Sequence, residues 1–309
     1  MRVEILGSAA GGGFPQWNCN CGNCHSLRAG TFSGKSRTQT QVAVSNDSNS
    51  WFLLNASPDL RLQIEAAAVL HPLKAQRHSP IAGALLTGAD DDQIAGLFSL
   101  REFQPLRIYS TLSVACVLRK DNSMFGVLNR TANQVSWSEI RIDQSFPLLD
   151  SEGKESGVCV TLFALGSHYP DYIPPERVRI LRAEEAQVGV ILQSSSQRKL
   201  AYLPAVPMID DQMLECLESA DVLLFDGTFW SNDELRCVKG SGPTAREMGH
   251  VPVSGPGGSL QILSQLRGPR KIYIHINNTN PMLDESGREY RQVRDAGWEI
   301  AEDGMHLEI

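Results

Sequence analysis

The sequence predicts an α/β fold, and three observations support that prediction. Short apolar runs of strand length recur along the chain, and Ile81 to Leu86 is continuous enough for a buried strand. Helical patterns with start signals stand between many of these runs. Several runs end directly in aspartate or histidine, and open α/β sheets bind ligands at the carboxyl ends of their strands. We therefore expect layered sheets and helices with a functional site at strand ends.

The first elements are a strand and a tight turn. Val3 to Leu6 alternates into a strand, and the small residues of Gly7 to Gly13 follow it. This segment lacks the Lys-Ser/Thr ending of a P-loop and the spacing of a dinucleotide fingerprint. It therefore favours a turn that lets two backbones approach closely.

A cysteine-rich loop follows at about residues 16–25. Cys19, Cys21 and Cys24 fall within a few residues on a Gly/Asn-rich stretch. In a reducing compartment this spacing indicates a structural Zn²⁺ site, since one turn can aim three thiolates at a tetrahedral ion. The spacing leaves the fourth ligand open. His25 is adjacent but would strain the site, and a distant residue is the other candidate.

The next stretch predicts a hairpin, a helix and the central strand. Thr38 to Val44 and Ser50 to Asn55 alternate around a polar turn, and a helix runs from Ser57 to about Ala68. Ile81 to Leu86 then leads into three acids and a helix over Gly96 to Glu102. The acids, Asp90, Asp91 and Asp92, suit a ligand site, but a helix N-cap with a solvated turn is the alternative.

The rest of the chain predicts further strands and helices. Leu106 to Ser110 is a strand and Thr111 to Arg119 a helix. The apolar stretch Ser123 to Leu128 is either a mobile lid or a buried loop. Val188 to Leu192 and Lys199 to Leu203 predict a second hairpin, and Leu214 to Ala220 predicts a helix.

Four predicted strands end in residues that bind metals. The residues at these ends are Asp90/Asp92, His168, Asp226 and His275. One aspartate or histidine at a strand end is usually a turn residue. Four such ends drawn only from aspartate and histidine favour one converging metal site.

Composition and charge exclude several classes of protein. The 309 residues, 42% hydrophobic and 20% charged, suit a single domain over residues 1–309. A formal net charge of −7 argues against a nucleic-acid partner, and no apolar run approaches the roughly 20 residues of a membrane span. The N-terminus lacks the apolar core of a signal peptide. We therefore expect a cytoplasmic protein with no membrane partner.

The strand-end pattern resembles the metallo-β-lactamase fold superfamily. There a strand precedes Thr/Ser-His-x-His-x-Asp-His-x-x-Gly-Leu, and a lone His, a lone Asp and a final His each follow later strands. The positions that match are Thr87, Asp92, Gly96, Leu97, His168, Asp226 and His275. Three histidine positions of the motif hold Gly88, Asp90 and Gln93 instead. The resemblance implies a four-layer αββα sandwich, with two mixed sheets packed face to face and helices outside.

Within that superfamily, the chain resembles from end to end a family that acts in pyrroloquinoline quinone (PQQ) biosynthesis. The segments that carry this likeness are the start from Ile5 to Cys19, the Asp-rich metal motif, and His275 to Pro281. Related phosphodiesterases close the cysteine site with a residue three positions after the final histidine, here Asn278. His250 resembles a proton-donating histidine of the tRNA-processing branch.

The resemblance implies a hydroxylase that uses Fe²⁺ and O₂. Loss of two imidazoles at Gly88 and Gln93 leaves hard oxygen donors, which suit Fe²⁺, although Zn²⁺ is able to occupy such a site in vitro. The expected ligands of this ion are Asp90, Asp92, His168, Asp226 and His275. The expected catalytic residues are His250, Asp92 and His275, with His250 as a proton shuttle, and Gln93 is the expected substrate-binding residue.

The expected partners are a small molecule and O₂. The small molecule is a PQQ precursor, the crosslinked Glu–Tyr amino acid whose tyrosine ring would be hydroxylated. Two other functions remain open: a non-catalytic carrier or export factor for PQQ, and a residual metal-dependent hydrolase. Other PQQ biosynthesis proteins are further candidate partners, and the oligomeric state, including a homodimer, stays open.

Overall fold

The computed structural model describes residues 1–73 and 75–309, and these residues group into two compact units. Unit 1 comprises Met1–Leu6, Gln41–Arg198 and Gly304–Ile309, and unit 2 comprises Gly7–Thr40 and Lys199–Asp303. Each unit therefore combines segments that are distant in the sequence. The prediction of one domain over residues 1–309 stays a prediction.

The first sheet lies in unit 1 and has seven strands. Their bounds are β1 Arg2–Gly7, β2 Gln41–Ser45, β3 Trp51–Leu54, β4 Ile81–Leu85, β5 Leu106–Ser110, β6 Val135–Glu139 and β14 Met305–Glu308. Their order is β14-β1-β2-β3-β4-β5-β6. The β1–β14 and β2–β3 pairs are antiparallel, whereas β3 to β6 run parallel. The sheet is therefore mixed, and its β2–β3 pair confirms the first predicted hairpin.

The second sheet also has seven strands, divided between the units. Those of unit 1 are β7 Ser145–Leu149, β8 Glu155–Gly166 and β9 Gln187–Ser194, and those of unit 2 are β10 Lys199–Leu203, β11 Val222–Asp226, β12 Arg270–Ile274 and β13 Trp298–Ile300. Strands β7 to β9 pair antiparallel, whereas β10 to β13 pair parallel. Parallel strands are covered on both faces, and every residue of β11 is buried.

Short helices connect the strands. The α-helices are α1 Gly22–Arg28, α2 Leu60–Ala66, α3 Asp91–Ile94, α4 Leu112–Cys116, α5 Pro175–Val178, α6 Asp211–Glu218, α7 Glu234–Lys239, α8 Ser259–Ile262 and α9 Arg288–Asp295. The 3₁₀ turns are Ala68–Leu70, Ala95–Leu100, Ser123–Asn129, Ala183–Glu185, Arg246–Met248, Leu263–Gln265 and Pro281–Leu283, and one π turn covers Val117–Asp121. No helix among residues 1–73 and 75–309 is long and apolar enough to cross a bilayer.

Two predicted helices differ from the observed ones for identifiable reasons. The segment predicted as helix after the acids is 3₁₀, because the Gly96 N–H donates to the Ala56 carbonyl at 2.8 Å instead of to its own helix. The helix that Thr111 caps through the Val114 N–H widens into a π turn after Cys116. In both cases a different set of hydrogen bonds replaces the regular α-helical pattern.

The segment Ser123–Asn129 belongs to the core of unit 1. Phe125 and Leu128 are buried among apolar residues of β3, β4 and β5. The Phe125 ring stacks on Phe98 with centroids 4.7 Å apart. This packing favours the buried-loop interpretation over the mobile lid.

Gly96 provides a direct test of packing in unit 1. A Cβ atom at this position would lie 2.2 Å from the Ser57 carbonyl oxygen and 2.8 Å from that of Ala56. Because these backbone atoms cannot move aside without strain, we expect Gly96→Ala to lower the free energy of unfolding by about 1–3 kcal/mol. Urea denaturation measures this change.

Gly126→Ala is the matched control, since nothing lies within 4 Å of a Cβ atom there. We expect it to change stability by less than about 0.5 kcal/mol. Equal effects of the two substitutions would contradict the close approach of Gly96 to the Ala56–Ser57 backbone.

Candidate active site

Three side chains that bind metals gather in unit 2 at the ends of two parallel strands. Asp226 ends β11, and His275 follows β12 directly, with Asp226 in register with Ile274. His250 joins them from the loop after Arg246–Met248. One ligand atom from each of these residues lies within 4.8 Å of the others. We call these three residues the histidine cluster.

The Asp226 carboxylate is fully buried and hydrogen-bonded on both oxygens. Oδ2 accepts from the Val206 N–H at 2.8 Å and faces His250 Nδ1 at 2.7 Å. Oδ1 accepts from the Thr228 N–H at 3.0 Å and the Thr228 hydroxyl at 2.6 Å. A carboxylate offers about four acceptor positions, so this one is saturated. Asp226 thus orients its neighbours, and its predicted role as a metal ligand stays a prediction.

Burial and hydrogen bonding oppose each other at Asp226. Burial alone would raise the pKa of this carboxyl, but the His250 ring and the Thr228 hydroxyl outweigh it, so the pKa is lowered overall. The group is therefore ionised at neutral pH, which suits a partner for imidazole N–H groups.

Thr228 links Asp226 to both imidazoles. Its hydroxyl has one proton, and we assign it to the shorter contact, 2.6 Å to Asp226 Oδ1, rather than to the His275 carbonyl at 2.9 Å. The oxygen then accepts from His275 Nδ1 at 2.8 Å. His250 Nδ1 donates to Asp226 Oδ2. Hydrogen bonding thus places both ring protons on Nδ1 and both lone pairs on Nε2. In that tautomer Nε2 is the atom that binds a metal or accepts a proton.

The two rings are stacked and mostly buried. The His250 and His275 centroids are 5.5 Å apart with an interplanar angle of 21°, and these residues are 9% and 8% exposed. His275 also has a left-handed backbone with φ of 59°. Non-glycine residues persist there only when their surroundings hold them, and such residues concentrate at functional sites.

The acid-rich turn lies in unit 1. Asp90 precedes α3 but makes no side-chain cap hydrogen bond, so its position is not explained by capping. Asp90 and Asp92 are half-buried, whereas Asp91 is exposed. The predicted convergence of Asp90 and Asp92 with Asp226 and His275 stays a prediction.

The loop that carries His168 is anchored beside this turn. The Tyr172 hydroxyl donates to the Ala89 carbonyl at 2.6 Å. Burial raises the pKa of Tyr172, and the nearby carboxylates Asp90 and Asp91 raise it further. His168 itself is exposed. Within unit 1, Tyr172 therefore holds the loop after His168 against the acid-rich turn, and the predicted role of His168 as a metal ligand stays a prediction.

Gln93 is buried beside Gly88. A Cβ atom on Gly88 would lie 2.5 Å from Gln93 Oε1. The glycine at one histidine position of the motif therefore leaves room for the glutamine at another. Within the described residues, Oε1 of Gln93 and Oε1 of Gln187 have no hydrogen-bond partner, and Gln187 Nε2 lies 3.5 Å from Asp90. Orphaned oxygens beside a carboxylate are the donor chemistry that a hard cation or an N–H donor satisfies.

The three cysteines of the N-terminal loop form a second cluster in unit 2. Their Sγ atoms lie within 4.8 Å of one another, and we call them, with Asn278, the cysteine cluster. Asn278 Nδ2 lies 3.2, 3.6 and 3.3 Å from Cys19, Cys21 and Cys24. Amide nitrogen and oxygen are assigned from such contacts, so a half-turn of the amide would aim Oδ1 at the same point. His25 is exposed, and its Nδ1 lies 3.4 Å from Asn20 Oδ1. The geometry therefore favours Asn278 over His25 as fourth ligand.

The thiols of this cluster compete for ionisation. Burial would raise the pKa of Cys19, but hydrogen bonds from Cys21, Cys24 and Asn278 lower it overall. Burial, together with the neighbouring thiols, raises the pKa of Cys21 to about 11. Three adjacent thiols cannot all ionise without a compensating cation. The donor set therefore fits Zn²⁺, which takes thiolates in tetrahedral sites.

Comparison with known proteins decides the family. A family model described as a beta-lactamase superfamily domain matches residues 50–276. A coenzyme PQQ synthesis protein B from Methylobacterium sp. (strain 4-46) is 41% identical over 309 residues, which is all of both chains. The chain belongs to the coenzyme PQQ synthesis protein B family. A solved Zn²⁺-bound structure of this family, from Methylobacterium extorquens, is 38% identical and superposes with a TM-score of 0.91 over all of both chains.

Family membership confirms the predicted fold class. The chain has the metallo-β-lactamase fold, with two mixed seven-stranded sheets. A diphosphatase of the PhnP family shares the fold at 19% identity, with a TM-score of 0.68 over 100% of this chain and 97% of its own. Activity is not transferred at that distance, so the function must come from the site itself.

Sequence reasoning missed two residues of the candidate site. Thr228 stands two positions after Asp226, and its place in an Asp-Gly-Thr strand end was the available signal. Glu234 begins α7 and is 5% exposed, and nothing in its local sequence distinguishes it from a solvated helix-start acid.

Thr228→Val tests the assignment of the ring protons. Without the hydroxyl, His275 Nδ1 loses its acceptor, so we expect its ring to shift toward the Nε2–H form. Nitrogen NMR of the imidazoles measures this shift. We also expect metal affinity at the histidine cluster to fall about 10–100-fold. Thr228→Ser, which keeps the hydroxyl, should behave like the parent protein. An unchanged His275 tautomer in Thr228→Val would contradict the assignment.

Proposed function

We propose that this protein acts in PQQ biosynthesis as an Fe²⁺- and O₂-dependent hydroxylase. Its substrate would be the tyrosine ring of the crosslinked Glu–Tyr intermediate. The observation that carries the proposal is the histidine cluster, where two stacked, buried imidazoles lie together without a thiolate and Asp226 orients one of them. Imidazole donors combined with carboxylates, here the proposed ligands Asp90 and Asp92, are typical of non-haem Fe²⁺ oxygenases.

The separation of soft and hard donors supports this choice of metal. Cys19, Cys21 and Cys24 lie together in the cysteine cluster, where a structural Zn²⁺ would bind. Nitrogen and oxygen donors form the histidine cluster, where a redox-active ion would bind. The Zn²⁺ in the relative from M. extorquens is compatible with this, because intrinsic affinities favour Zn²⁺ over Fe²⁺.

The residues of the histidine cluster take distinct roles in the proposed reaction. His275 would hold the ion through Nε2, and Thr228 fixes the ring that presents this atom. Asp226 holds His250 as a dyad, so that His250 Nε2 accepts the phenol proton as a general base. Bound Fe²⁺ would supply the activation of O₂ that no protein side chain provides. Asp90, Asp92 and His168 remain the proposed further ligands.

Anaerobic reconstitution tests the proposal. Protein loaded with Fe²⁺ receives the Glu–Tyr substrate and a two-electron reductant such as ascorbate, and then O₂, while oxygen uptake and substrate mass are followed. One oxygen atom of O₂ would enter the ring, and the other would leave as water with the two electrons of the reductant. We expect uptake that depends on substrate, together with gain of one oxygen atom on the ring. Protein loaded with Zn²⁺ should bind the substrate without converting it.

Two other outcomes would overturn the proposal. Substrate conversion with Zn²⁺ in the absence of O₂ would indicate a hydrolase. Tight binding of PQQ that ignores the metal, without any conversion of the precursor, would indicate a carrier.

A further inference from the structure

The six residues from His275 to Asn280 run from one cluster to the other within unit 2, and we call them the linking segment. His275 belongs to the histidine cluster, and Asn278 lies against the three cysteine sulfurs. The Asn277 N–H donates to the Thr228 carbonyl at 3.0 Å, and Asn280 Nδ2 donates to the Gly227 carbonyl at 2.9 Å. Both ends of the segment are therefore fixed on the turn that follows Asp226.

Glu234 fastens the middle of the linking segment. Its Oε1 accepts from the Thr279 hydroxyl at 2.5 Å, and its Oε2 accepts from the Trp230 N–H at 2.5 Å. The Thr279 hydroxyl in turn accepts from Asn277 Nδ2 at 2.5 Å. Glu234 is 5% exposed, and a buried carboxylate is costly unless hydrogen-bonded. Its bonds therefore determine the positions of the residues on both sides of Asn278.

We propose that Glu234 is a positioning residue that couples the two clusters through the linking segment. Through Thr279 and Asn277 it sets the place of Asn278 on the sulfurs and of His275 beside Thr228. Occupancy of the cysteine cluster then strengthens metal binding at the histidine cluster, and the reverse, since coupling free energies are reciprocal. This inference rests on the proposed metal sites and adds a link between them.

The backbone of His275 explains why the hydrogen bonds of Glu234 matter. Its left-handed conformation is held by neighbours rather than by its own preference. The Ile276 N–H donates to the Ser8 carbonyl at 3.0 Å, and the Ile276 carbonyl accepts from Ala10. These contacts fix the start of the segment, whereas Glu234 fixes the part that reaches the cysteines. Loss of the second anchor frees the Asn277 side chain from Thr279 and weakens the Asn277 N–H contact to the Thr228 carbonyl, so that the loss reaches His275 through Thr228.

Two substitutions remove the Glu234–Thr279 hydrogen bond, one from each side. Glu234→Gln leaves the Thr279 hydroxyl proton without its carboxylate, and Thr279→Val removes the hydroxyl at similar volume. Glu185→Gln is the matched control, because Glu185 is a buried glutamate of unit 1 that accepts from the Ser113 N–H and hydroxyl at 2.9 and 2.7 Å. It reports the general cost of altering a buried carboxylate.

The probe is Co²⁺, titrated into the full-length, metal-depleted protein. Thiolate charge-transfer bands report the cysteine cluster, and weaker ligand-field bands report nitrogen and oxygen donors. We expect Glu234→Gln and Thr279→Val each to weaken the histidine cluster about 10-fold and to speed metal release from the cysteine cluster. The double variant should bind Co²⁺ at the histidine cluster as tightly as either single variant. Each substitution alone already removes the Glu234–Thr279 hydrogen bond, so the two effects should not add.

Thiol modification provides the readout that a merely structural role would not move. Blocking the cysteines should weaken Co²⁺ binding at the histidine cluster in the parent protein and in Glu185→Gln, but have little further effect in Glu234→Gln. An equal loss of Co²⁺ affinity at the histidine cluster in all three proteins would overturn the proposed coupling. Absence of a nitrogen- and oxygen-ligated ion in the parent protein would instead overturn the proposed function.

Discussion

His275→Ala should lose ring hydroxylation to the level of metal-free protein and release the ion held outside the cysteine cluster. His275 presents its Nε2 lone pair from a buried ring that Thr228 orients. Loss of a partner that merely orients a ligand costs about 10–100-fold in affinity or activity, and loss of the ligand itself should exceed that. Metal content and turnover of the purified variant measure both effects.

His306→Ala is the control for removing a histidine. His306 is exposed on β14 of unit 1 and belongs to neither cluster. We expect its metal content and turnover to match those of the parent protein. Full turnover by folded His275→Ala would remove the histidine cluster from the mechanism.

Cys24→Ser should lose the structural Zn²⁺ and much of the stability of unit 2. Cys24 is fully buried, and its sulfur lies 3.3 Å from Asn278. Without it the donor set falls below the four ligands that closed zinc sites use. Loss of a structural metal belongs to the few single changes that cost about 4 kcal/mol or more. Elemental analysis and thermal unfolding measure the two effects.

Cys237→Ser is the matched control, because Cys237 is an exposed thiol on α7. It should keep the zinc and the melting temperature of the parent protein. If Cys24→Ser retained one tightly bound zinc per chain with unchanged stability, the cysteine cluster would not be a structural metal site.

The parts of the site that sequence reasoning predicted depend on short-range patterns. Asp226 and His275 follow buried apolar strands directly, and neighbouring parallel strands place such residues side by side. The three cysteines are close in sequence, so a tight loop alone brings them together. The fold class followed from the same alternation of strands and helices, with its layered form implied by resemblance.

The parts that sequence reasoning missed depend on long-range side-chain contacts. The sequence around Thr228 suggests only a turn residue, whereas in the structure its hydroxyl lies between Asp226 and His275. Glu234 reads as a solvated acid, yet it lies against Thr279, 45 positions later. The choice between His25 and Asn278 as fourth ligand also depends on a long-range contact, because sequence spacing does not reveal which distant amide lies against the cysteines.

Isotopically labelled O₂ offers the most direct test of a metal-dependent hydroxylase. Fe²⁺-loaded protein, the Glu–Tyr substrate and a two-electron reductant such as ascorbate are mixed anaerobically, labelled O₂ is added in ordinary water, and the product is analysed by mass spectrometry. The account predicts one labelled oxygen on the tyrosine ring, and no such product from His275→Ala. Recovery of unlabelled product, with its oxygen drawn from water, would contradict it.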